Sequence, residues 1–474
     1  MAYIGGNAKR VSVRYWMHVV GIMGVLGLLI AVASFPRGIA KASSSNWVTY
    51  MGNNERSGFN AAETVINPSS VQNLKLHWKL KAAGKVSTQP VAANGFVYWG
   101  SWDGLEHATN PATGTDAWTV NLGQSSSMCD QTVHGVLSTA TVASVSIGGV
   151  TTPVVYVGGG NAHLYALNAN TGSVIWHTPL GATPATFLYS DPAVYNGSVY
   201  LGVSSQSDCP LVQGQLVQLD ASTGAIQHTF NVVPTGCLGG TVWVAPTIDT
   251  MTNILYFGTG NGGKCSTTEN MAVALVALRT ADLSFVSSWQ VPTSQQSKDG
   301  DFGSTPTLFQ ATISGVLHQM VGLLNKNGLY YAFDRTTISA GPLWQVRLAS
   351  PTANWKSNIA SSAWDGTTLY AAAGSTTIKG AACAGSIRAV NPASGAFIWA
   401  DCLSADVFGP VTAVSGLAEV GAGTSFMLVS TTTGKKLFSF QDTSMSSRFL
   451  GPGSISNGIL YHGNTDGYLY AFGM

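Results

Sequence analysis

The amino-acid sequence predicts an all-β fold: an eight-bladed β-propeller of four-stranded antiparallel blades spanning residues 43–474. Three observations predict it. The chain of 474 residues contains 55 glycines, 45% of its residues are hydrophobic and only 9% are charged, which favours many short buried strands joined by tight turns. A unit of strands and turns recurs along the chain. The last copy of this unit lacks a strand that an isolated segment near the start can supply.

The recurring unit combines a Val-Tyr-x-Gly strand, a Leu-Tyr-Ala-Leu strand and a Thr-Gly-x-x-x-Trp segment, and residues 155–176 contain all three. Alternating aromatic and aliphatic residues favour buried strands. The Asn/Asp-x-x-Thr-Gly segment is typical of a tight turn with glycine at positive φ. We expect the tryptophan after this turn to pack between adjacent blades. The copies begin near Val97, Val155, Val199, Leu255, Leu329, Leu369, Thr433 (a degenerate copy with Phe438 for tryptophan) and Leu460.

The two ends of the repeat region predict how the ring closes. The eighth unit stops at residues 472–474, before any Thr-Gly-x-x-x-Trp strand, whereas residues 74–80 form an orphan strand that carries the missing tryptophan, Trp78. We expect the orphan strand to complete the last blade, because a blade buries its faces only against neighbours and closure protects the ends. Seven blades and an array of β-sandwiches are the alternatives. A sandwich array explains neither the period nor the orphan strand.

Residues 1–42 predict a secretory signal peptide or an N-terminal membrane anchor. Basic residues at positions 9–14 precede an apolar run at 15–35, and residues 40–42 (Ala-Lys-Ala) resemble a cleavage site. At about 20 residues the run is long enough to span a bilayer, so cleavage and permanent anchoring both stay open. In either case we expect residues 43–474 outside the cytoplasm, secreted, periplasmic or on the outer face of the membrane.

Six cysteines suit an oxidising compartment, where disulfides persist. Six cysteines allow 15 pairings. Closeness in sequence suggests two disulfides within a blade or between neighbouring blades, Cys209–Cys237 and Cys383–Cys402. Cys129 and Cys265 are left over, and a third disulfide between them is the remaining expectation. The sequence has no Cys-x-x-Cys-His motif, so nothing in it predicts a covalently bound c-type haem.

Charge and motifs exclude several other functions. The net charge of +1 gives no electrostatic footprint for nucleic acid. Walker, HExxH and GxSxG motifs are absent from the sequence. Residues 158–161 (Gly-Gly-Gly-Asn) indicate a turn at a strand end rather than a phosphate site, because no helix follows to supply a dipole.

Residues 239–263 contain the most informative motif, in which Gly-Gly-Thr-Val-Trp243 is followed by Leu-Tyr-Phe-Gly-Thr-Gly-Asn261. Together with the repeat, it resembles the pyrroloquinoline-quinone (PQQ)-dependent alcohol dehydrogenases and their non-catalytic propeller relatives over roughly residues 45–474. The resemblance implies that Trp243 is the floor on which the quinone stacks and that Asn261 offers an oxygen to a Ca²⁺ ion. From the residues alone, Trp243 could instead dock between blades and Asn261 could serve a turn.

Residues 126–135 resemble the family segment that caps the cofactor with two adjacent cysteines and supplies an arginine to a quinone carboxylate. In this chain Met128 replaces the cysteine beside Cys129, and His134 replaces the arginine. A thioether can lie over a planar ring, whereas a histidine holds a carboxylate only when it is protonated. The resemblance implies Met128, Cys129 and His134 as cofactor contacts, but both replacements weaken the dehydrogenase interpretation.

Three further candidates follow from the resemblance. Glu269 is the only carboxylate shortly after the Gly-Thr-Gly-Asn motif, where the family has its catalytic Asp, and is therefore the candidate base and a candidate calcium ligand. Lys326 matches the family's cation near the quinone oxygens, where it would stabilise negative charge. Asp208 lies near the position of a calcium-binding Glu. Asp299 and Asp301 are expected to cap turns rather than to act as ligands.

Two functions are consistent with these residues. The first is an extracytoplasmic dehydrogenase that transfers a hydride from an alcohol or sugar to PQQ with Ca²⁺, with Cys129 and Cys265 flanking the cofactor entrance. The second is a non-catalytic propeller that binds a protein or cell-envelope partner as an assembly module. The intact stretch 239–263 and Lys326 favour the first function. The substitutions at 128, 134 and 269 favour the second.

Overall fold

The computed structural model describes residues 45–263, 265, 269–351 and 358–474. All of them belong to one unit, Ser44–Met474. The predicted signal or anchor at residues 1–42 lies outside the described residues. Within the described ranges, no helix has the length and apolar character needed to cross a membrane. The helices in these ranges are short 3-10 turns at Val71–Asn73, Thr293–Gln295 and Ile338–Ala340.

Eight antiparallel sheets, each with four main strands, form the blades. In order from the innermost strand outward, blades 1 to 4 contain Val91–Ala93, Phe96–Gly100, Leu105–Thr109 and Asp116–Asn121; Thr141–Ile147, Val150–Gly158, His163–Asn168 and Val174–Pro179; Ala193–Tyr195, Ser198–Val203, Gln215–Asp220 and Ile226–Asn231; Thr247–Asp249, Ile254–Gly258, Ala274–Arg279 and Phe285–Gln290. Blades 5 to 8 contain Thr307–Ile313, Val316–Leu324, Leu329–Asp334 and Trp344–Arg347; Ala363–Trp364, Leu369–Ala373, Gly385–Val390 and Phe397–Leu403; Thr412–Val414, Leu417–Ala422, Ser425–Ser430 and Lys436–Gln441; Ser454–Ser456, Ile459–Gly463, Tyr468–Gly473 and Lys75–Lys81.

Three small elements are added to the blades. Phe59–Asn60 pairs in parallel with the innermost strand of blade 7. Thr376–Ile378 and Ala381–Cys383 form a hairpin that projects from blade 6. Ser125–Ser126 and Val133–His134 form another hairpin in the loop between blades 1 and 2.

The ring closes as the orphan strand predicts. The innermost strand Val91–Ala93 contacts the innermost strands of blade 2 and of blade 8, Thr141–Ile147 and Ser454–Ser456. Lys75–Lys81 pairs antiparallel with Tyr468–Gly473 and supplies the fourth strand of the last blade. The eight-bladed prediction is therefore confirmed, and the seven-bladed alternative is excluded.

Tryptophans join neighbouring blades, as the repeat predicts. The indole N–H of Trp118 donates to Ala169 O of the next blade at 3.0 Å. Trp118 also packs on Gly172, whose φ is +72° and where an added Cβ would lie 2.7 Å from the ring. This turn glycine is required both for its left-handed backbone and for the close approach of the indole. The same docking recurs at Trp78 on Gly114, Trp176 on Gly224, Trp344 on Gly395 and Trp399 on Gly434.

Residues 47–60, which we call the hub segment, contact the innermost strand of every blade. Each contact is a hydrogen bond to the backbone of the second residue of that strand, and the segment meets the blades in their order around the ring. The contacted residues on blades 1 to 8 are Ala92, Val142, Val194, Ile248, Leu308, Trp364, Ala413 and Ile455, at 2.7–3.1 Å. Nothing in the repeat pattern predicts this segment, because its contacts are mostly made by backbone atoms.

The hub segment carries a buried charge. The guanidinium of fully buried Arg56 donates to Tyr50 O at 2.7 Å and to Pro246 O at 3.0 Å. Its charge interacts with Asp191, which is buried in the loop that enters blade 3 and accepts the Thr139 N–H at 2.5 Å. Burial raises the pKa of Asp191 to about 7, although the Thr139 N–H and the Arg56 charge act in the opposite direction.

One of the three expected disulfides is confirmed, and the other two are wrong. Cys383–Cys402 joins strands of blade 6 with a Cα separation of 5.3 Å. The remaining bonds are Cys129–Cys209 and Cys237–Cys265, with Cα separations of 6.1 and 5.6 Å, rather than Cys209–Cys237 and Cys129–Cys265. Cys237 follows the fourth strand of its blade, and that loop leads into the next blade. It therefore meets Cys265 of blade 4 instead of Cys209 of its own blade.

Candidate functional site

The candidate site lies at one end of the ring, which we call the mouth. The loop that enters the first strand of a blade and the loop that follows its second strand share this end, because neighbouring antiparallel strands run in opposite directions. Trp243 and His134 precede the first strands of blades 4 and 2. Asp208, Asn261 and Lys326 follow the second strands of blades 3, 4 and 5. The repeat thus places these five side chains at the same end.

Trp243 is half-buried at the mouth, and its ring lies against Gly303 of the next blade. The two residues occupy equivalent positions, each three residues before the proline that precedes a first strand, Pro246 and Pro306. A Cβ at Gly303 would lie 2.4 Å from Cη2 of Trp243, so only glycine lets the indole take this position. The indole N–H donates to Asp301 Oδ2 at 3.0 Å, which orients the ring.

Six residues of three adjacent blades form a continuous chain of polar contacts, which we call the polar chain: Trp243, Asp301, Lys326, Asp299, Asn261 and Asp208. Asp301 Oδ1 lies 2.5 Å from Lys326 Nζ. Lys326 Nζ donates to the two carboxylate oxygens of Asp299 at 3.0 and 3.1 Å. Asn261 Nδ2 donates to Asp299 Oδ1 and to Asp208 Oδ2, each at 2.9 Å.

Lys326 is the central cation of this set. Lys326 is only 5% exposed, and its Nζ lies 5.1 Å from the centroid of the Trp243 ring. Burial alone would lower the pKa of Lys326, but the carboxylates of Asp301 and Asp299 outweigh burial and raise that pKa above its ordinary value. The lysine therefore stays charged. The polar chain contains three carboxyl groups, two of them on the ammonium group of Lys326 and the third, that of Asp208, on the amide of Asn261, so it can accept a further positive charge.

Asp208, Asn261 and Asp299 are the residues that could hold a metal. The oxygen and nitrogen of a side-chain amide are told apart only by their hydrogen bonds, and turning the Asn261 amide by half a rotation would direct its oxygen between the two carboxylates. Carboxylate and amide oxygens are the ligands of hard cations. In the described ranges, no three His, Cys, Asp or Glu side chains converge as a metal cluster by themselves. The Asn261 amide is thus needed to complete the set.

Two disulfides and a strained turn hold the loops of this set. Cys209, directly after Asp208, is bonded to Cys129 of the loop between blades 1 and 2. Cys265, shortly after Asn261, is bonded to Cys237. Asp208 has a φ of +54°, a left-handed conformation that costs a non-glycine residue free energy and persists only where the surroundings impose it. Cys129 and Cys265 are thus linked to loops of this set, and each is bonded to a partner other than the expected one.

Neither Met128 nor His134 belongs to the polar chain. Met128 is 51% exposed, so it does not belong to the buried floor. His134 is 2% exposed and packs against Trp102 and Phe187, with ring centroids 4.4 and 5.6 Å apart. Neither of its ring nitrogens has a hydrogen-bond partner among the described residues. Burial lowers the pKa of His134, so the neutral imidazole cannot hold a carboxylate by charge.

Glu269 lies beside the motif that contains Asn261, but outside the polar chain. Its carboxylate lies against Gly262, and it lines a separate cavity of about 300 Å³ together with Thr235 and Met271. Burial raises the pKa of Glu269. Within the described part of the chain, no hydrogen bond connects its side chain to Asn261 or Lys326.

Asp299 and Asp301 are the functional candidates that the sequence assigned only to turns. The structure places both of them between Lys326 and its neighbours instead. The repeat contains a pattern from which the position of Asp301 at the mouth could have been predicted. When blades 4 and 5 are aligned on the prolines before their first strands, Asp301 stands two residues before Gly303, the equivalent of Trp243, and therefore at the mouth.

Comparisons with known proteins agree with this architecture. The family described as "PQQ: Glucose/ethanol/alcohol dehydrogenase, beta-propeller domain" matches residues 47–348. The quinohemoprotein alcohol dehydrogenase of Comamonas testosteroni is 26% identical over 332 residues, which cover 60% of this chain and 45% of that protein. The outer membrane protein assembly factor BamB of Yersinia pestis is 32% identical over 129 residues, 27% of this chain and 28% of BamB. The chain spans half or less of the length of the curated dehydrogenases that it matches.

Solved structures share the fold. The crystal structure of the Comamonas testosteroni enzyme superposes with a TM-score of 0.73 at 18% identity and covers 92% of this chain and 81% of that chain. A europium-containing methanol dehydrogenase superposes with a TM-score of 0.73 at 16% identity over 91% of this chain and 98% of that chain. With the family match extending over more than half of its residues, the chain belongs to the PQQ β-propeller family of glucose, ethanol and alcohol dehydrogenases.

Proposed function

We propose that this chain binds PQQ and a hard metal cation at the mouth and oxidises an alcohol or a sugar outside the cytoplasm. The polar chain is the observation that carries the proposal. In it, the half-buried indole of Trp243 is joined through Asp301 to the buried ammonium group of Lys326. Lys326 is joined in turn through the carboxylate of Asp299 to the amide of Asn261. Neither a turn nor a packed core requires these groups to be buried together, and burying charged groups is costly even when they are paired.

The residues present fit a planar anionic cofactor. Trp243 offers an aromatic face whose position is held by Gly303 and by the hydrogen bond to Asp301, and flat rings stack on such faces. Lys326 would supply positive charge to the quinone oxygens. When bound, PQQ would accept the hydride of the substrate. His134 would contribute no charge, so the carboxylates of the cofactor would depend on other donors.

The residues also fit a hard cation beside the cofactor. Asp208 and Asp299 would bind it through their carboxylates and Asn261 through its amide oxygen. Cations of higher charge than Ca²⁺ are compatible with the same oxygens. The similarity in fold to a europium-containing enzyme makes a lanthanide ion worth testing in parallel.

We assign the proton-accepting role to Asp299 rather than to Glu269. A general base must lie within hydrogen-bond reach of the substrate hydroxyl. Asp299 lies between Lys326 and Asn261, where substrate, cofactor and cation would meet. Lys326 would position this carboxylate. Glu269 has no comparable connection among the described residues.

The proposed location outside the cytoplasm rests on the disulfides. All six cysteines are paired, and such bonds persist in oxidising compartments. The basic and apolar pattern of residues 1–42 supports the same location, with either cleavage or anchoring of that segment.

The test is reconstitution of the purified protein with PQQ and either Ca²⁺ or La³⁺, followed by calorimetry, tryptophan fluorescence and dye reduction with alcohols and sugars. We expect Trp243→Ala to abolish PQQ binding. Asp299→Asn should keep PQQ binding at saturating cation but lower dye reduction by about 100-fold or more. Glu269→Gln is the matched control and should keep both. If PQQ does not bind at millimolar concentration with either cation, the proposal is wrong.

A non-catalytic binding or assembly module is the second candidate, and one observation favours it. The neutral His134 and the exposed Met128 depart from the family's cofactor cap. The similarity to BamB of Yersinia pestis, whose name describes an assembly factor, agrees with such a role. A protein that binds no PQQ but is recovered with a specific envelope protein would support this candidate.

A further inference from the structure

The third blade departs from the docking rule that joins blades 1, 2, 5, 6 and 8 to their neighbours. Its turn contains Gly224, and four residues later, where blades 1 and 2 carry Trp118 and Trp176, it carries His228. The residue paired with this position in the ladder has changed as well. Trp176 pairs with Ala166, whereas His228 pairs with Gln218. A large apolar ring and a small neighbour are thus replaced by two polar side chains.

The surface of blade 4 that faces His228 also differs from the equivalent surface of blade 2. At the interface of blades 1 and 2, Trp118 packs on Gly172 and donates to Ala169 O. The equivalent turn residue of blade 4 is Leu283, which keeps a φ of +56° without being glycine. The equivalent carbonyl, Thr280 O, accepts the hydroxyl of Tyr200 at 2.7 Å, as Ala169 O accepts that of Tyr98 at 3.1 Å. It differs in having a histidine, His228, where the indole donor of blade 1 stands. Glycine is no longer needed here because no indole approaches the turn.

The exchange leaves a cavity of about 530 Å³ between blades 3 and 4, which we call the blade 3–4 cavity. It lies at the turns opposite the mouth, since it is bordered by the turns after the first and third strands. Its floor is buried and polar, and Gln227 and His228 form part of an exposed rim. The floor residues, each at most 6% exposed, are Ser198, Tyr200, Gln218 and Thr280. Cavities of this volume accommodate small ligands.

The lining of the blade 3–4 cavity is rich in hydrogen-bonding groups and free of permanent charge. It contains four carboxamides, three hydroxyls and one imidazole, and no Asp, Glu, Lys or Arg. Gln218 Nε2 donates to Ser198 Oγ at 3.0 Å, and Ser198 Oγ donates to Gln227 Oε1 at 3.0 Å. Gln218 Oε1 is buried without a hydrogen-bond partner among the described residues. A buried acceptor in this state is destabilising until a donor reaches it.

We propose that the blade 3–4 cavity binds a neutral sugar residue, free or as part of a glycan. A sugar hydroxyl would donate to Gln218 Oε1, and its other hydroxyls would both donate to and accept from the amides and hydroxyls around it. The absence of charged groups from the lining disfavours phosphates, carboxylates and amines. The polar floor disfavours apolar ligands for the same reason. This site is separate from the polar chain and does not depend on the proposed dehydrogenase function.

The test is calorimetric titration of the full chain without PQQ, using glucose, galactose, mannose and their disaccharides as probes. Glucuronate and glucosamine serve as charged counterparts. Retention of the protein on immobilised neutral polysaccharides forms a second arm, which distinguishes a glycan from a free sugar. We expect at least one neutral probe to bind in one of the two arms, and the charged counterparts to bind more weakly.

Two variants address the cavity itself. Gln218→Leu keeps the size of the side chain but removes the acceptor, and should weaken binding about tenfold or more. The triple variant His228→Trp, Leu283→Gly and Gln218→Ala introduces the docking pattern of blades 1 and 2, and should abolish binding without lowering the melting temperature. Gln310→Leu, at an exposed glutamine of blade 5 outside both sites, is the matched control and should bind the sugar as the unmodified chain does.

Three results would overturn the proposal: no neutral probe binds in either arm, the charged counterparts bind as well as the neutral probes, or Gln218→Leu binds as tightly as the unmodified chain. Should the triple variant fail to fold, Gln218→Leu alone still decides the question. The control Gln310→Leu shows whether a loss of binding in Gln218→Leu comes from the cavity or from a glutamine-to-leucine change in general.

Discussion

Lys326 and Asp191 are both buried ionisable residues, but the ring surrounds them differently. Lys326 has two carboxylates in direct contact, so its charge is compensated and its pKa is raised. Asp191 accepts the backbone N–H of Thr139, and burial dominates, so its pKa is raised to about 7. For the lysine a raised pKa favours the charged form. For the aspartate it favours the neutral form, and this has consequences for stability.

The raised pKa of Asp191 predicts a pH dependence of unfolding. The folded chain holds a proton on this carboxyl up to about pH 7, whereas the unfolded chain loses it near its ordinary value of about 4. Between these values the folded state binds more protons, so the contribution of Asp191 to the free energy of unfolding falls as the pH rises from about 4 to about 7. The melting temperature of Asp191→Asn, relative to the unmodified chain, should therefore rise over this range. Asp282→Asn, at an exposed carboxylate, is the control, and a flat difference for Asp191→Asn would contradict the prediction.

Single residues of the site could be predicted only where a local motif marks them. Trp243, Asn261 and Lys326 stand in motifs that resemble the family, and the structure joins them in the polar chain. Asp299 was assigned to a turn because its role depends on Lys326, which lies on a loop after another strand. Such a contact is set by the ring and cannot be deduced from spacing along the chain.

Docking of tryptophans is the feature that joins one element to the next. Each ring buries apolar surface and places its indole N–H on a backbone oxygen of the neighbouring turn. The sequence predicted this packing because tryptophan and glycine recur at a constant spacing. It did not predict the disulfides at the mouth, because loop cysteines meet across blades and their spacing along the chain contains no information about that meeting.

Substitutions at the same repeat position should change the free energy of unfolding by different amounts in different blades. Trp176→Ala should lower the free energy of unfolding by about 3 kcal/mol, because it removes a half-buried ring and leaves Ala221 O without its indole donor. His228→Ala, at the equivalent position of blade 3, should change it by no more than about 0.5 kcal/mol because His228 is exposed. Denaturant titrations of the two variants provide the measurement. Equal effects would mean that the position does not contribute through docking.

At the scale of the whole molecule, closure of the ring depends on residues that are distant in sequence. The strand Lys75–Lys81 completes the last blade. Ser45 N donates to Asn457 Oδ1 at 3.0 Å across 412 positions of the chain. The orphan strand allowed this closure to be predicted. The hub segment was missed because a backbone that bonds to other backbones requires no recognisable side-chain pattern.

Removal of the hub segment should make unfolding less cooperative. A chain beginning at Ala61 keeps the closing strand but loses a backbone contact to each blade, at about 1 kcal/mol apiece, and the buried side chains of Trp47, Met51 and Arg56. We expect a lower and broader calorimetric transition and binding of a hydrophobic dye. The matched control is a chain beginning at Ser45, which keeps the hub segment. Identical transitions for the two chains would refute a stabilising role of the hub.

A ring of similar repeats has no inherent reason to stop at a given number, since each interface resembles the next. Here the hub segment acts as a ruler: it offers one contact for each of the eight blades, from Trp47 on blade 1 to Asn60 on blade 8, so its two ends meet neighbouring blades where the ring closes. Duplication of a repeat would leave a blade with no contact on the ruler, and loss of a repeat would leave a contact with no blade. The blade number of this chain is therefore less free to change during evolution than the loops at its mouth.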